Sequence, residues 1–216
     1  MSQLAFNLQL SPSYNPEDFV VSESNQAAVD CLDSWGADRP GILLLIGDKS
    51  AGKTHLAMLW AVKNNAVFLD NELLGKVDSE QIWQKGNAAI LEDMDTIKDQ
   101  TALFHLLRLV ENNKYRLLIT SSKAVPDLGL TLPDLSSRLA AATNVRIELP
   151  DEFLLTVFLS KFFSDRQLRV SEEVINYIIR RLERSFEQVY KFAEKIEQAS
   201  LEQKREITIP FIKTIY

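Results

Sequence analysis

Gly47-Asp48-Lys49-Ser50-Ala51-Gly52-Lys53-Thr54 sets two glycines, a lysine and a hydroxyl at the spacing G-x4-G-K-[ST]. Backbone N–H groups of such a loop converge into an anion-binding concavity. A helix starting there turns its positive end on the same spot. Lys53 can reach the outer phosphates of a nucleotide, and the Thr54 hydroxyl suits Mg2+. Gly47 and Gly52 read as positions whose backbone torsions a side chain would resist. The context agrees: an apolar run, Ile42 to Ile46, comes before, and a helical pattern of Leu56, Ala57, Leu59, Trp60 and Val62 follows. A plain glycine turn between a buried strand and a helix is the weaker reading. His55 is counted with the nucleotide-contacting stretch, in a packing or helix-surface role and not as a catalyst.

A second constellation closes another apolar run, Ala88-Ala-Ile-Leu-Glu92-Asp93. One carboxylate of this pair would hold Mg2+ through water, and its neighbour would orient an attacking water. The common order puts Asp first, so the division of roles between Glu92 and Asp93 stays open. Asp95 reads as an exposed third acid. Leu117-Leu-Ile-Thr120-Ser121-Ser122 ends a further run in hydroxyls. Ser122 or Thr120 could meet a terminal phosphate or the attacking water; a hydroxyl-rich turn explains the stretch equally well.

These residues need strands to carry them. Runs at 42–46, 67–69, 88–91, 116–120 and 145–149 read as strands, with helices between, notably 25–35 and 99–113 with Leu103, Leu106, Leu107 and Val110 on one stripe. Short apolar strands alternating with helices predict an α/β fold with a five-stranded parallel sheet covered on both faces. After Pro150 the pattern turns helical. One helix spans 151–164, and a second starts at Ser171 as N-cap with Val174, Ile175, Ile178, Ile179 and Leu182 inward. A third carries Phe186, Val189, Tyr190, Ala193 and Ile196, and a short piece, 207–216, closes the chain. The expected organisation is a tail over 1–20, a nucleotide-binding domain over 21–150 and a small helical lid over 151–216.

Composition bounds the rest. The chain has 216 residues, 46% hydrophobic, with a net charge of −6. An acidic balance argues against a large nucleic-acid surface. Cys31 is the single cysteine, so no internal disulfide can form, and its apolar neighbours suit a buried helix face. No membrane-length apolar stretch and no signal-peptide start are present, so the expected compartment is the cytoplasm.

On these residues the chain resembles the AAA+ core of the DnaA family, and within it the Hda-type regulatory inactivators of DnaA. Phe19 to Asn25 is similar to the segment where the family holds adenine. Ile119 to Lys123 with Pro126 resembles the sensor 1 stretch. Leu135-Ser-Ser-Arg138-Leu139 resembles the box that supplies an arginine finger, and Arg184 to Tyr190 the sensor 2 box, whose arginine reaches the nucleotide from the lid. Ile207 to Lys213 resembles the usual ending of the Hda type. The resemblance implies ADP or ATP with Mg2+ as ligands. It implies Arg138 as an arginine finger in trans that raises hydrolysis in DnaA-ATP. Ser121-Ser122 replaces the family's Ser-Asp, and Glu92 stands where Asp is common; both point away from strong ATP hydrolysis by the chain itself. The family's DNA-binding helix-turn-helix is not expected here.

The first residues add a partner. Gln3 offers an amide, and Leu4, Phe6 and Leu8 are apolar anchors, a pattern that looks like the bacterial sliding-clamp binding peptide. An edge strand or a tail tucked on its own domain is the alternative. DNA is then approached only through the clamp, no membrane is involved, and self-association is left open. The competing function is an autonomous ATPase such as a DnaC-like helicase loader; a scaffold with a vestigial nucleotide site is a third.

Overall fold

The computed structural model describes residues 19–72, 74, 83 and 86–215. Gln3, Leu4, Phe6 and Leu8 lie outside the described residues. Strand β1 (Gly41–Ile46) is the axis of the sheet, and Ile42 to Ile46 are all buried. A continuous apolar run of this kind is what a parallel strand covered on both faces requires. It pairs with β4 (Arg116–Ser121) on one side and β5 (Thr143–Arg146) on the other. Beyond β4 come β3 (Ala88–Leu91) and β2 (Val67–Leu69). The five-stranded order is β2-β3-β4-β1-β5, with every pairing parallel.

Side chains alternate across the sheet. Ile42, Leu44 and Ile46 meet Leu103, Leu106 and Leu107 of helix α3 (Gln100–Asn113) and Leu135 and Leu139 of α4 (Pro133–Ala141). Leu43 and Leu45 face the other layer, with Ala28 and Leu32 of α1 (Gln26–Ser34) and Leu56, Ala57 and Trp60 of α2 (Lys53–Asn64). Each fully buried leucine here contributes about 1.5–3 kcal/mol against exposure, so the strand alternation decides which helix sits on which face. A separate apolar cluster joins α5 (Glu152–Asp165), α6 (Glu172–Ile179), α7 (Phe186–Gln203) and α8 (Ile209–Ile212) through Leu159, Phe163, Ile178, Val189, Ile196 and Ile212. Among the described residues no helix is long and apolar enough to cross a membrane.

Four local expectations change. The last strand is Thr143–Arg146, not 145–149; its partner β1 ends at Ile46, opposite Arg146, and Leu149 is 56% exposed. Val62 faces out at 86% exposure, while Ala61 takes the inward place on α2. Ser171 occupies the N-cap of α6, but its hydroxyl makes no capping bond. Tyr190 is 40% exposed and leaves the α7 stripe to Val189, Ala193 and Ile196.

Candidate functional site

The carboxyl ends of β1, β3 and β4 lie side by side, where parallel α/β sheets bind ligands. Register fixes this: Ile46 lies opposite Ser121, and Leu91 opposite Ile119. The 47–52 loop leaves β1 and runs into α2. Gly52 has φ 95° and is the N-cap of α2, a left-handed position that a side chain would strain. Gly47 has a different reason from the expected one. A Cβ there would stand 3.2 Å from the Ile147 Cβ and 3.3 Å from the Ala51 Cβ. The loop therefore needs Gly47 for close approach, and the second positive torsion falls on Ser50 at φ 64°.

Lys53 is 6% exposed. Its ammonium donates to the carbonyl oxygens of Gly47 at 2.8 Å and Asp48 at 2.9 Å, curling the loop around it. Burial pulls its pKa below the ordinary lysine value, against the charges of Asp93, Asp95, Asp48 and Glu92. The acids after β3 are close enough to act on this lysine through their charge.

Their arrangement is more specific than an acidic pair. The backbone N–H of Asp93 donates to Thr120 Oγ1 at 2.9 Å. Asp95 is half-buried, not exposed; it accepts the Ser122 N–H at 2.9 Å and faces the Ser121 hydroxyl at 3.4 Å. Asp93 is the exposed acid, in a left-handed conformation with φ 49°. Glu92 Oε1 and Asn71 Oδ1 are buried acceptors with no protein donor among the described residues, while the Asn71 amide donates to the Glu92 carbonyl at 2.6 Å. Acceptors of this kind want a water or a hydrated cation. No group of three His, Cys, Asp or Glu side chains gathers as metal ligands among the described residues. Of the two acids after β3, Glu92 is the one whose unpartnered oxygen suits a hydrated cation. Sequence reading missed Asn71; a polar residue shortly after a short strand was the only signal.

A cavity of about 540 Å3 opens between the loop and the helical cluster. Phe19, Asn25, Ser50, His55, Phe158 and Tyr190 line it. Asn25 is buried and folds the preceding segment on itself, donating to the Val20 carbonyl at 2.9 Å and accepting the Ser22 N–H at 2.9 Å. Phe19 stands edge-on to His55 with ring centroids 5.1 Å apart. An aromatic and aliphatic wall beside an amide-rich loop suits a flat base joined to a polyphosphate. On the helical side, the Lys191 hydrogen bond, the Lys191 charge and the Lys49 charge hold the Glu187 carboxyl below its usual range.

The two arginines expected to serve nucleotide are engaged elsewhere. Arg184 lies outside the cavity wall and pairs with Glu152 Oε1 at 2.8 Å, both side chains more than half exposed. An exposed pair is weak and exchanges readily. Arg138, in the last turn of α4, pairs with Glu111 of α3 and lies over the Phe104 ring. That layer covers the sheet face opposite α2. Cys31 is half-buried, and burial raises its thiol pKa, which suits packing rather than nucleophilic chemistry.

Comparison with known proteins agrees with this architecture. Residues 156–216 match the family model "Hda, lid domain". DnaA of Aliarcobacter butzleri is 26% identical over 231 residues, covering 94% of this chain and 52% of that protein. The chain thus spans about half the length of that relative. An uncharacterized protein of Haemophilus influenzae is 25% identical over 213 residues, 89% of each chain. Among solved structures, domain III of Thermotoga maritima DnaA superimposes with a TM-score of 0.77 at 21% identity, covering 95% of this chain and 96% of that one. AMPPCP-bound DnaA from Aquifex aeolicus gives 0.71 at 18% identity, over 90% and 68%. The fold is that of an AAA+ module with an α/β core and a lid. The chain is similar to DnaA proteins in sequence and in fold, and its residues 156–216 match the Hda lid.

Proposed function

We propose that this chain is an adenine-nucleotide-binding regulator of replication initiation that, held by the sliding clamp, raises ATP hydrolysis in DnaA. The observation that carries the reading is the Hda-type lid on a DnaA-like core. The residues fit the role. Loop amides and Lys53 grip the phosphates of ADP or ATP, and the Phe19–Asn25 segment with Phe158 and Tyr190 encloses the base. Thr54, Glu92 and Asp93 hold Mg2+ with its waters; the ion neutralises phosphate charge when bound. Ser122 stands at the phosphate end, while the buried Thr120 braces the turn that carries Asp93. Arg184 couples the lid to nucleotide once it leaves Glu152. Arg138, remote from its own loop across the sheet, serves a neighbouring molecule. An arginine supplied in trans accelerates phosphoryl transfer by about 10³–10⁵ in well-studied cases. Gln3, Leu4, Phe6 and Leu8 tether the protein to the clamp, so that DNA is met indirectly and in the cytoplasm. The domain limits follow the same reading: tail 1–20, core 21–150, lid 151–216.

The test is ATP hydrolysis by DnaA with this chain, clamp and DNA each added or omitted. Stimulation should need all of them, and the chain alone should turn over little ATP. Fast turnover by the chain alone, with DnaA unaffected, would mark an autonomous ATPase and end this reading.

A further inference from the structure

Arg138 is the cation assigned to another molecule, yet it is engaged within its own chain. Its guanidinium forms an ion pair with Glu111 Oε2. Its Cζ lies 5.4 Å from the centre of the Phe104 ring. Both partners belong to α3, where Phe104, Arg108 and Glu111 recur at helical spacing on one face. Arg108 stands over the same ring at 5.9 Å. Arg138 therefore reaches across from α4 to a prepared seat made of one carboxylate and one aromatic face.

That seat competes with action in trans. A guanidinium is a planar fork whose N–H donors match a carboxylate and a phosphoryl group alike. Donors turned on Glu111 are not turned on a partner's phosphate, and the Glu111 charge offsets the charge that the transition state would need. The hold is also reversible. The side chains of Arg138 and Glu111 keep 33% and 39% of their exposure, so water and a competing anion can reach them. Partly exposed pairs are weak, of the size that biases a population without locking it.

We propose that Glu111 is an autoinhibitory clasp, which holds Arg138 on α3 until the phosphates of a docked partner compete for the guanidinium. The inference rests on the reading of Arg138 as the arginine supplied to DnaA-ATP. Glu111 acts through Arg138 and touches no substrate; Phe104 completes the seat.

The experiment uses the full chain with clamp, DNA and DnaA-ATP, and follows both the maximal hydrolysis rate and the concentration giving half of it. Glu111→Gln keeps shape and removes charge. It should raise the maximal rate about two- to fivefold, the scale of a weak pair, and leave the half-effect concentration unchanged. Glu111→Asp, which keeps the charge, should stay closer to the unmodified chain. Arg138→Ala combined with Glu111→Gln should be as inactive as Arg138→Ala alone, since the gain passes through the arginine. If Arg138→Ala leaves stimulation intact, the underlying reading falls. If Arg138→Ala abolishes stimulation but Glu111→Gln lowers it or leaves it unchanged, the clasp is overturned and the reading survives. A gain from Glu111→Gln that persists without Arg138 overturns the clasp as well.

Discussion

The Thr120 hydroxyl oxygen accepts the backbone N–H of Asp93 at 2.9 Å, joining the end of β4 to the acidic turn after β3. Asp95 ties the same two segments from the other side through the Ser122 N–H. Thr120 is fully buried, so the bond is made where water cannot replace it. The two strand ends are thereby tied together, and the carboxylates of the turn act on Lys53 through their charge.

Thr120→Val tests that tie. Valine keeps the branched shape and removes the acceptor, leaving the Asp93 N–H without its partner. The expected cost is about 1 kcal/mol, the net worth of an ordinary intramolecular hydrogen bond. In urea the unfolding midpoint should fall with the slope unchanged. Nucleotide affinity, set by the loop, should hold. An unmoved midpoint would mean the tie adds nothing.

Lys53→Ala addresses the loop itself. The ammonium now satisfies the Gly47 and Asp48 carbonyls, and a nucleotide would add phosphate oxygens to its partners. Without it, ADP and ATP should give no heat by titration calorimetry. A ligand at a hundred times its Kd stabilises a fold by about 2.7 kcal/mol; the unmodified chain should gain this and the variant should not. Equal affinity in both would remove the nucleotide site from residues 47–54.

The proposed clamp peptide can be tested by itself. Leu4→Ala with Phe6→Ala removes two of its apolar anchors, and anchors of this kind dominate such interfaces. Capture by the clamp should be lost while the melting temperature and nucleotide affinity stay as they were. Clamp binding that survives both changes would assign Leu4 and Phe6 another use.

What sequence made legible follows from the range of the physics involved. The strand runs at 42–46, 88–91 and 116–120 were readable because burial on both faces writes apolar residues consecutively. The turn from β1 into α2 was readable because its pattern is local, within eight residues from Gly47 to Thr54. Partnerships between residues distant in sequence were not. Arg138 meeting Glu111, Asp95 meeting Ser122, and Asn71 meeting Glu92 join residues whose spacing carries no period. The close approach at Gly47 depends on Ile147, a hundred residues away along the chain. The misplaced end of β5 has the same origin: alternation of Val145, Ile147 and Leu149 continues after the partner strand has stopped.

Asp151 makes the last prediction, because it joins the cavity segment to the lid. Its carboxylate caps α5 by accepting the Leu154 N–H at 2.7 Å. Burial pushes its pKa up, but hydrogen bonds from Leu154, the Ser22 side chain, Ser24 and Phe153 outweigh this, and the net shift is downward. A carboxyl depressed in the folded state contributes stability that is present above its unfolded pKa, near 4, and is lost as pH falls through the folded value. Asp151→Ala should therefore cost about 1 kcal/mol near neutrality, the usual worth of an N-cap. The difference between variant and unmodified chain should narrow below about pH 4, as protonation removes from the latter what the mutation removed from the former. Urea midpoints of both proteins at neutral and acid pH measure this. A gap that stays constant through the acid limb would mean that the cap does not depend on the carboxylate charge.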